Sequence, residues 1–251
     1  MCAEIHNRQG SRRYGADVDS AKRFGELINS ATSAGHLDYL CALMCAAIDP
    51  SCDVGQVLKS LDDCAADMPT TFEGVIGSLF GSGLFSGDVD QYHAVENSLL
   101  HKVMERRIGM PITLSVVAIE VGRRQGVPIL GIGLPGHFVV RDADSDLYAD
   151  PFGGGVIYDR AGLTAAWKLR GMGDVLNPVS LIPMGARKIV LRILNNLRAS
   201  LISAVDTDPF DTEALDQWPD QRIHGLVRLR SLVPEFDDEA AERLRWVRYW
   251  N

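Results

Sequence analysis

A histidine and an aspartate each mark one end of a short apolar run in the segment LGIGLPGHFVVRDADSDLYADPFGG, residues 130–154. His137 begins the run HFVV, and Asp150 ends the run LYAD. If these runs are adjacent antiparallel strands, directly opposed residues bring their Cβ atoms to about 5 Å. Asp150 could then accept a hydrogen bond from one ring nitrogen of His137, and the other nitrogen would face the preceding helix. Such a base and its orienting carboxylate are typical of acyl-transfer catalysis.

This pair would serve a Cys or Ser at a helix N-terminus, where the dipole lowers a thiol pKa and backbone N–H groups can hold an oxyanion. The helix expected before the strands is MPITLSVVAIEVGRRQG, with Pro111 in its first turn and Gly126 just past its end. No thiol lies at its start. Thr113 offers a hydroxyl there, for which a capping role is favoured over catalysis. Ser115, one turn deeper, would need His137 much nearer than a thiol arrangement provides.

The five cysteines all lie in the first quarter of the chain, without zinc-type spacing or an export signal, so we expect reduced thiols. Cys41 and Cys45 share one face of an apolar helix, where packing as small buried hydrophobes is favoured over reactivity. Cys52 and Cys64 could serve His137 only if the helical region folds over the strands. That alternative is the less favoured one.

The elements that position these residues follow from apolar spacing and capping signals. Helical periodicity recurs in SAKRFGELI, DYLCALMCAAI, DVGQVLKSL and TFEGVIGSLF, and again in SLLHKVMERRIG, which should stop at Gly109. Short β-type runs follow the central helix: PILGIGL, HFVVRD, LYADPF and GVIYD. The segments ARKIVLRILNNLRASLISAV and DEAAERLRWVRYW then return to helical spacing.

This order predicts an α+β fold in three regions. An N-terminal helical cluster spans residues 15–95, a core of one helix and an antiparallel sheet spans 96–182, and C-terminal helices spanning 183–251 pack on the core. No internal repeat or long linker interrupts this organisation.

Several of these runs together resemble a known family. The runs NSLLHKVMERRIGMPITLS, GVPILGIGLPGHFVVR, LYADPFGG and RILNNLRASL look like the SirB1 family of bacterial transglutaminase-like proteins, over roughly residues 15–205. The resemblance implies a transglutaminase-like, papain-like core behind a helical region, and it carries His137 and Asp150 over by position. In active enzymes of this kind the nucleophilic Cys begins the core helix, about 15 residues before the Gly of the G-V-P turn, which is Pro111 here. SirB1-type relatives share that loss, so the resemblance implies neither the nucleophile nor cross-linking activity.

The resemblance also suggests which residues line a binding cleft. We expect the binding residues to be Asn97, Arg107, Pro111, Thr113, Ser115 and Arg141. From residue type alone, Asn97 also reads as a plain helix cap. Arg107 equally reads as a helix C-terminal charge, and Arg141 as an exposed strand residue.

Composition excludes several classes of function. The formal charge of −8 and the pI near 5.2 disfavour binding to nucleic acid or to anionic lipid, which need a concentrated positive surface. No apolar window is long enough to span a membrane, so we expect a cytoplasmic protein. His93 and His101 lack a third metal ligand, and no phosphate loop or dinucleotide fingerprint occurs, so we expect no metal and no cofactor.

The leading hypothesis is a SirB1-type protein that has lost the nucleophilic cysteine. It would bind a peptide, an acyl or amide-bearing molecule, or a protein partner, between the start of the central helix and the His137 strand. The alternative is a working acyl-transfer, amide-forming or hydrolytic enzyme, in which His137 is the general base and Asp150 orients it without an enzyme thiol. A structural or regulatory interaction module is the third possibility.

Overall fold

The computed structural model describes residues 19–30, 35–171, 176–204 and 220–239. Its first part is a cluster of helices: α1 (Ser20–Ile28), α2 (Leu37–Ile48), α3 (Val54–Ala65) and α4 (Phe72–Ile76), which a π-helical turn at Gly77–Gly81 extends. Side-chain oxygens of Asp19, Asp53 and Thr71 accept from backbone N–H groups at the starts of α1, α3 and α4. These caps satisfy donors that a helix leaves unpaired.

A connector leads from this cluster to the central helix. It contains a 3₁₀ turn at Val95–Ser98 and helix α5 (Leu100–Arg106). The sequence predicted that this helix would stop at Gly109, but it ends at Arg107, whose φ of 61° is left-handed. The chain after Arg107 instead forms β2 (Ile108–Gly109), which pairs in parallel with β1 (Ser86–Gly87).

The central part consists of helix α6 (Pro111–Arg124) and an antiparallel sheet. The strands are β3 (Ile129–Leu134), β4 (His137–Asp142), β5 (Tyr148–Asp150), β6 (Val156–Tyr158) and β7 (Pro183–Met184), in the order β6-β5-β4-β3-β7. Helix α7 (Arg160–Leu169) lies between β6 and β7 in the chain, followed by a 3₁₀ turn at Pro178–Leu181. The predicted α+β class, with helices preceding and following an antiparallel sheet, is confirmed.

The last described elements are α8 (Ala186–Ala204), α9 (Asp220–Ser231) and a 3₁₀ helix at Pro234–Glu239. The remainder of the predicted closing helix, after Glu239, lies outside the described residues. None of the helices in the described ranges is both long and apolar enough to cross a membrane.

Two apolar clusters cover the two faces of the sheet. The larger one runs from α1 and α2 through α6 to α8 and α9, and it includes Phe138 and Val140 of β4. The smaller one joins the opposite face of the sheet, including Leu134 and Val139, to Trp167 of α7. The larger cluster contains residues on both sides of the boundaries predicted from the sequence, at 95/96 and 182/183. The division into three regions stays a prediction.

Candidate functional site

Strand pairing determines how His137 and Asp150 meet. Strands β3 and β4 form a hairpin that Leu134 and His137 close, with Gly136 at φ 67° in the turn. Between β4 and β5, Val140 pairs with Ala149, so the antiparallel register brings Asp150 level with Val139. The two residues are therefore diagonal neighbours, whereas the sequence predicted that they lie directly opposite each other. They still share one face of the sheet, because His137 and Val139 are two residues apart.

Asp150 is the centre of a hydrogen-bonded group. Its Oδ2 lies 3.0 Å from Nε2 of His137 and 2.5 Å from Nη2 of Arg170. Its Oδ1 accepts from the backbone N–H groups of Phe152 and Gly153, each at 3.1 Å. The side chain of Asp150 is only 2% exposed, so these donors take the place of water.

The surroundings of Asp150 favour its ionised form. Burial by itself raises the pKa of this carboxyl, but the hydrogen bonds and charges of His137 and Arg170 outweigh burial and lower the pKa below its ordinary value. An ionised Asp150 holds Nε2 of His137 as the donor. The remaining ring nitrogen, Nδ1, makes no hydrogen bond within the part of the chain that the structure describes, so it is the atom that could exchange a proton with a ligand.

The His137 side chain points towards α7. Its neighbours on the same face, Leu134 and Val139, belong to the cluster under α7, whereas Phe138 faces the cluster that contains α6. The sequence had directed the free ring nitrogen towards α6, but the two-residue period of β4 puts His137 on the other face. The ring also packs edge-on against Phe152, with centroids 6.3 Å apart.

A pocket adjoins this pair on the α7 side, and we call it the His137 pocket. It is lined by Leu134, His137, Val139, Asp150, Tyr158, Leu163, Ala166, Trp167 and Arg170. Its volume is about 10 Å³, room for about one water molecule and far below the roughly 300–1,000 Å³ of pockets that enclose drug-sized ligands. The pocket therefore holds only the tip of a small group, between apolar walls and a polar end.

Helix α7 supplies the residue that the sequence reasoning missed. Asp159 caps α7 by accepting from the N–H of Gly162 at 2.6 Å, and the helix carries Trp167 on its buried side. Arg170 follows directly at the C-terminal cap, with 43% of its side chain exposed while its guanidinium reaches Asp150. No spacing in the sequence connects Arg170 to Asp150. The turn after Asp150 did carry a signal, because Asp followed by Pro and glycines favours a side chain that accepts from the next backbone N–H groups.

The first turn of α6 is closed. Pro111, Thr113 and Ser115 are all buried. The hydroxyl of Thr113 donates to the carbonyl of Asn97 at 2.6 Å, and that of Ser115 donates to the carbonyl of Pro111 at 2.8 Å. Both hydroxyls are satisfied within the protein, so no open groove exists at these residues. The cleft expected between this helix start and β4 is not what the structure shows.

Asn97 stabilises the start of α6 by hydrogen bonds. It is fully buried in the 3₁₀ turn, and its Nδ2 donates to Oδ2 of Asp88 at 3.0 Å and to the carbonyl of Gln91 at 2.7 Å. Its Oδ1 accepts from Arg106 at 3.1 Å, and its carbonyl also accepts from the N–H of Met110 at 3.3 Å. Asn97 is therefore a buried brace, and the helix-cap interpretation is wrong.

The two arginines that were predicted to bind a ligand, Arg107 and Arg141, do not line the His137 pocket. The guanidinium of Arg107 stacks over the ring of Phe85 at 4.7 Å and lines a separate pocket between α3 and α5. That of Arg141 lies 5.9 Å from the ring centre of Tyr148, and its Nε donates to the carbonyl of Ser145 at 3.4 Å. The structure thus brings His137 and Asp150 together and leaves Arg107 and Arg141 elsewhere.

The thiols and possible metal ligands also lie apart from His137. Cys41 and Cys45 are buried in α2, while Cys52 and Cys64 line the pocket between α3 and α5. Cys2 is outside the described residues. Within the described ranges, no group of three or more His, Cys, Asp or Glu side chains is arranged to hold a metal ion.

A helical region, a buried central helix and an antiparallel sheet carrying a His–Asp pair make this an α+β protein of helices around one sheet. The family model described as the transglutaminase-like superfamily matches residues 35–195, and the chain belongs to that superfamily. The match includes α2 to α7, the His137 pocket and the first half of α8.

Similar proteins occur in other bacteria. A UPF0162 protein of Xylella fastidiosa (strain Temecula1) is 37% identical over 170 residues, which covers 63% of this chain and 54% of that protein. A UPF0162 protein of Pseudomonas aeruginosa is 31% identical over 145 residues, or 58% of this chain and 53% of that protein. The chain spans about half the length of these curated relatives. Human F-box only protein 21 is 32% identical over 81 residues, or 28% of this chain and 13% of that protein, and no solved structure matches significantly.

Proposed function

We propose that this chain is a SirB1-type transglutaminase-like protein that has lost the nucleophilic cysteine and binds a peptide, acyl or amide-bearing ligand in the His137 pocket. The observation that carries the proposal is the His137–Asp150–Arg170 group at the end of an apolar pocket, with Pro111 where an active enzyme has its thiol. The described cysteines lie in or beside α2 and α3, away from this pocket.

The pocket chemistry supports a ligand with a carbonyl or carboxylate oxygen. Arg170 uses one nitrogen on Asp150 and is 43% exposed, so other guanidinium donors are available to a ligand. Trp167, Leu163 and Val139 provide apolar walls for the tip of an acyl chain or of a small side chain. A protein partner would enter this pocket through one such side chain.

The first test is a titration of isotope-labelled protein with N-acetylglutaminamide, which carries an acyl group and amides, followed by NMR. We expect saturable shifts at the His137 ring and the Trp167 indole. The Arg170→Ala variant should bind at least about ten-fold more weakly, the loss of roughly one charged hydrogen bond. His137→Ala should stay within about three-fold, because the ring orients a ligand more than it holds one.

Arg141→Ala is the matched control, since Arg141 lies on the same strand as His137 but does not line the pocket. It should leave the affinity unchanged. Saturable shifts confined to residues between α3 and α5, or no saturable shift at all, would reject the proposed ligand class.

A second candidate is favoured by the His–Asp geometry itself. An ionised Asp150 that orients His137 is the arrangement of a general base, which could activate water or a second substrate. In that case the wild type turns over a substrate and His137→Ala abolishes this turnover. The binding proposal expects no turnover by either protein. We also propose a cytoplasmic location, which would keep the free thiols Cys41 and Cys45 reduced.

A further inference from the structure

A second group of reactive side chains lies in the helical region, far along the chain from His137. Cys45 is on α2, Asp49 and Cys52 follow α2, and His101 is on α5. Asp49 caps the end of α2, and the chain turns back there, with the N–H of Cys52 donating to the carbonyl of Asp49 at 3.0 Å. This turn returns Cys52 to the side of α2.

The sulfur of Cys45 is held by polar groups although it is fully buried. The backbone N–H of Leu100 donates to Cys45 Sγ at 3.2 Å. His101, the next residue, has Nε2 at 3.1 Å from Oδ2 of Asp49 and has its Nδ1 buried without a hydrogen bond in the described residues. Asp49 is itself fixed by the N–H and hydroxyl of Ser51, at 2.9 and 2.7 Å. A buried thiol that only filled space would not need this arrangement.

Cys52 brings a second sulfur to the same place. Its Sγ donates to the carbonyl of Ala42 at 3.9 Å, one turn before Cys45 on α2. Burial raises the pKa of Cys45, but the neighbouring Cys52 thiol and His101 ring outweigh burial and lower this pKa to about 5. The pKa of Cys52 is raised well above its ordinary value, first by its hydrogen bond to Cys45 and then by burial. These opposite directions favour the thiolate on Cys45 and the thiol on Cys52.

A large pocket gives access to this pair from solvent. It has a volume of about 610 Å³ and lies between α3 and α5. Its lining includes Cys52, Cys64, His101, Gln56, Ser60 and Arg107. Cys45 is fully buried and does not line the pocket. A small solute in the pocket thus meets Cys52 first.

We propose that Cys45 and Cys52 form a redox-active pair, which a hydroperoxide entering the pocket between α3 and α5 oxidises to a reversible disulfide. The activity is independent of the His137 pocket and of the ligand proposed there.

The chemistry proceeds in two balanced steps. Cys52 passes its proton to the Cys45 thiolate and attacks one oxygen of hydrogen peroxide, so the O–O bond breaks, Cys52 becomes a sulfenic acid and hydroxide leaves, which takes a proton from the solvent to give the first water. Cys45 then attacks the Cys52 sulfur, its proton goes to the departing hydroxyl, and a second water leaves as the S–S bond forms. The peroxide gains the two electrons that the thiols lose. His101 stabilises the thiolate that each step needs.

The test uses the full-length chain, freshly reduced and freed of reductant. The protein is treated with one equivalent of hydrogen peroxide, its remaining thiols are blocked with N-ethylmaleimide, and unreduced peptides are mapped by mass spectrometry. We expect the loss of two hydrogens per chain in a peptide that links Cys45 to Cys52, and dithiothreitol should restore both thiols. Replacement of His101 by Gln should slow the oxidation about ten-fold, the effect of roughly one unit in thiolate pKa.

Cys64→Ser is the matched control, because Cys64 lines the same pocket but lies against Arg107, 4.0 Å from Nη1. This variant should form the Cys45–Cys52 link as fast as the wild type, and Cys52→Ser should not form it. A disulfide between other cysteines, or a Cys52 sulfenic acid that persists while Cys45 is still alkylated, would overturn the proposal. The wild-type map decides the question even if a variant fails to fold.

Discussion

Among single residues, Asp150 contributes most to the geometry of the site. It fixes His137 and Arg170 through one oxygen and the following turn through the other. Removing its charge leaves the partners of a buried ion pair without their acceptor, which usually costs more than the pair itself gains. Asp150 therefore stabilises the fold as well as the geometry of the candidate site.

Asp150→Asn should lower the free energy of unfolding by about 1–3 kcal/mol at pH 7. This range is below that of a fully buried ion pair, because solvent screens the partly exposed Arg170. The folded-state pKa of Asp150 lies below its unfolded value, so its stabilisation is complete above the unfolded pKa of about 3.9 and is lost as the pH falls through the folded pKa. The difference between wild type and variant should therefore shrink below about pH 4. Urea unfolding at pH 7, 5 and 3.5 measures it.

The control is Asp146→Asn, on the turn before β5, where the side chain is 58% exposed. It should change the stability by less than about 0.5 kcal/mol. An Asp150→Asn difference that is as large at pH 3.5 as at pH 7 would contradict the ionised, hydrogen-bonded carboxylate.

The sequence could predict the His137–Asp150 contact, because both residues lie at the ends of short β-type runs. It could not predict Arg170, since that contact depends on how α7 packs on the sheet. It also could not show that the hydroxyls of Thr113 and Ser115 donate to backbone carbonyls, because the burial of a short polar side chain depends on tertiary packing.

Among the elements, the contact between α6 and β3 fixes the sheet that carries the site. Gly122 on α6 lies so close to the next segment that a Cβ there would be 2.7 Å from the carbonyl of Val127 and 2.7 Å from Cδ1 of Ile129. Its own carbonyl accepts from the N–H of Val127 at 2.8 Å. The helix and the strand can approach this closely only without a side chain at this position.

Gly122→Ala should therefore reduce the free energy of unfolding by about 1–3 kcal/mol through overpacking. Gly77→Ala is the control, because Gly77 has helical torsions, with φ −60°, and open space around the added Cβ. It should leave stability unchanged or raise it by about 0.4–1 kcal/mol. Thermal and urea unfolding of the two variants side by side measure the contrast, and equal effects would exclude the tight α6–β3 contact.

Helices with a polar cap and an apolar stripe were predictable, and α1, α3 and α4 start where those signals lie. The end of α5 was not predictable, because Arg107 adopts a left-handed conformation that is usually found at glycine or asparagine. Strands of two residues, such as β1 and β7, are too short to show any alternation.

On the scale of the whole molecule, ion pairs of the mostly buried Arg124 tie the helical region to the central helix. Arg124 at the end of α6 contacts Asp38 of α2 at 2.9 Å, Asp62 of α3 at 2.6 Å and Glu120 of α6 at 3.0 Å. Burial, and then the charge of Asp38, raise the pKa of Glu120, which the neighbouring arginines partly offset. We therefore expect the helical region and the core to unfold as one unit, because ion pairs and a shared apolar cluster join them.

Arg124→Ala should lower the free energy of unfolding by about 1–3 kcal/mol, because it leaves the buried carboxylates Asp38 and Glu120 with only the half-exposed Arg123 as a partner. The variant should still unfold in one transition, which calorimetry would show as agreement between the calorimetric and van't Hoff enthalpies. Arg23→Ala, which removes an exposed pair with Glu26 one turn away on α1, should change stability by less than about 0.5 kcal/mol. Two separated transitions in the Arg124 variant would contradict a single cooperative unit.

The central claim is that the His137 pocket binds without catalysing. Its most direct test is ammonia release from N-acetylglutaminamide, with and without an amine acceptor, by the wild type and by His137→Ala at matched concentration. We predict no release above the buffer rate from either protein under conditions where the wild type binds the probe. Release by the wild type that the His137→Ala substitution abolishes would contradict the claim and identify an enzyme that works without the missing thiol.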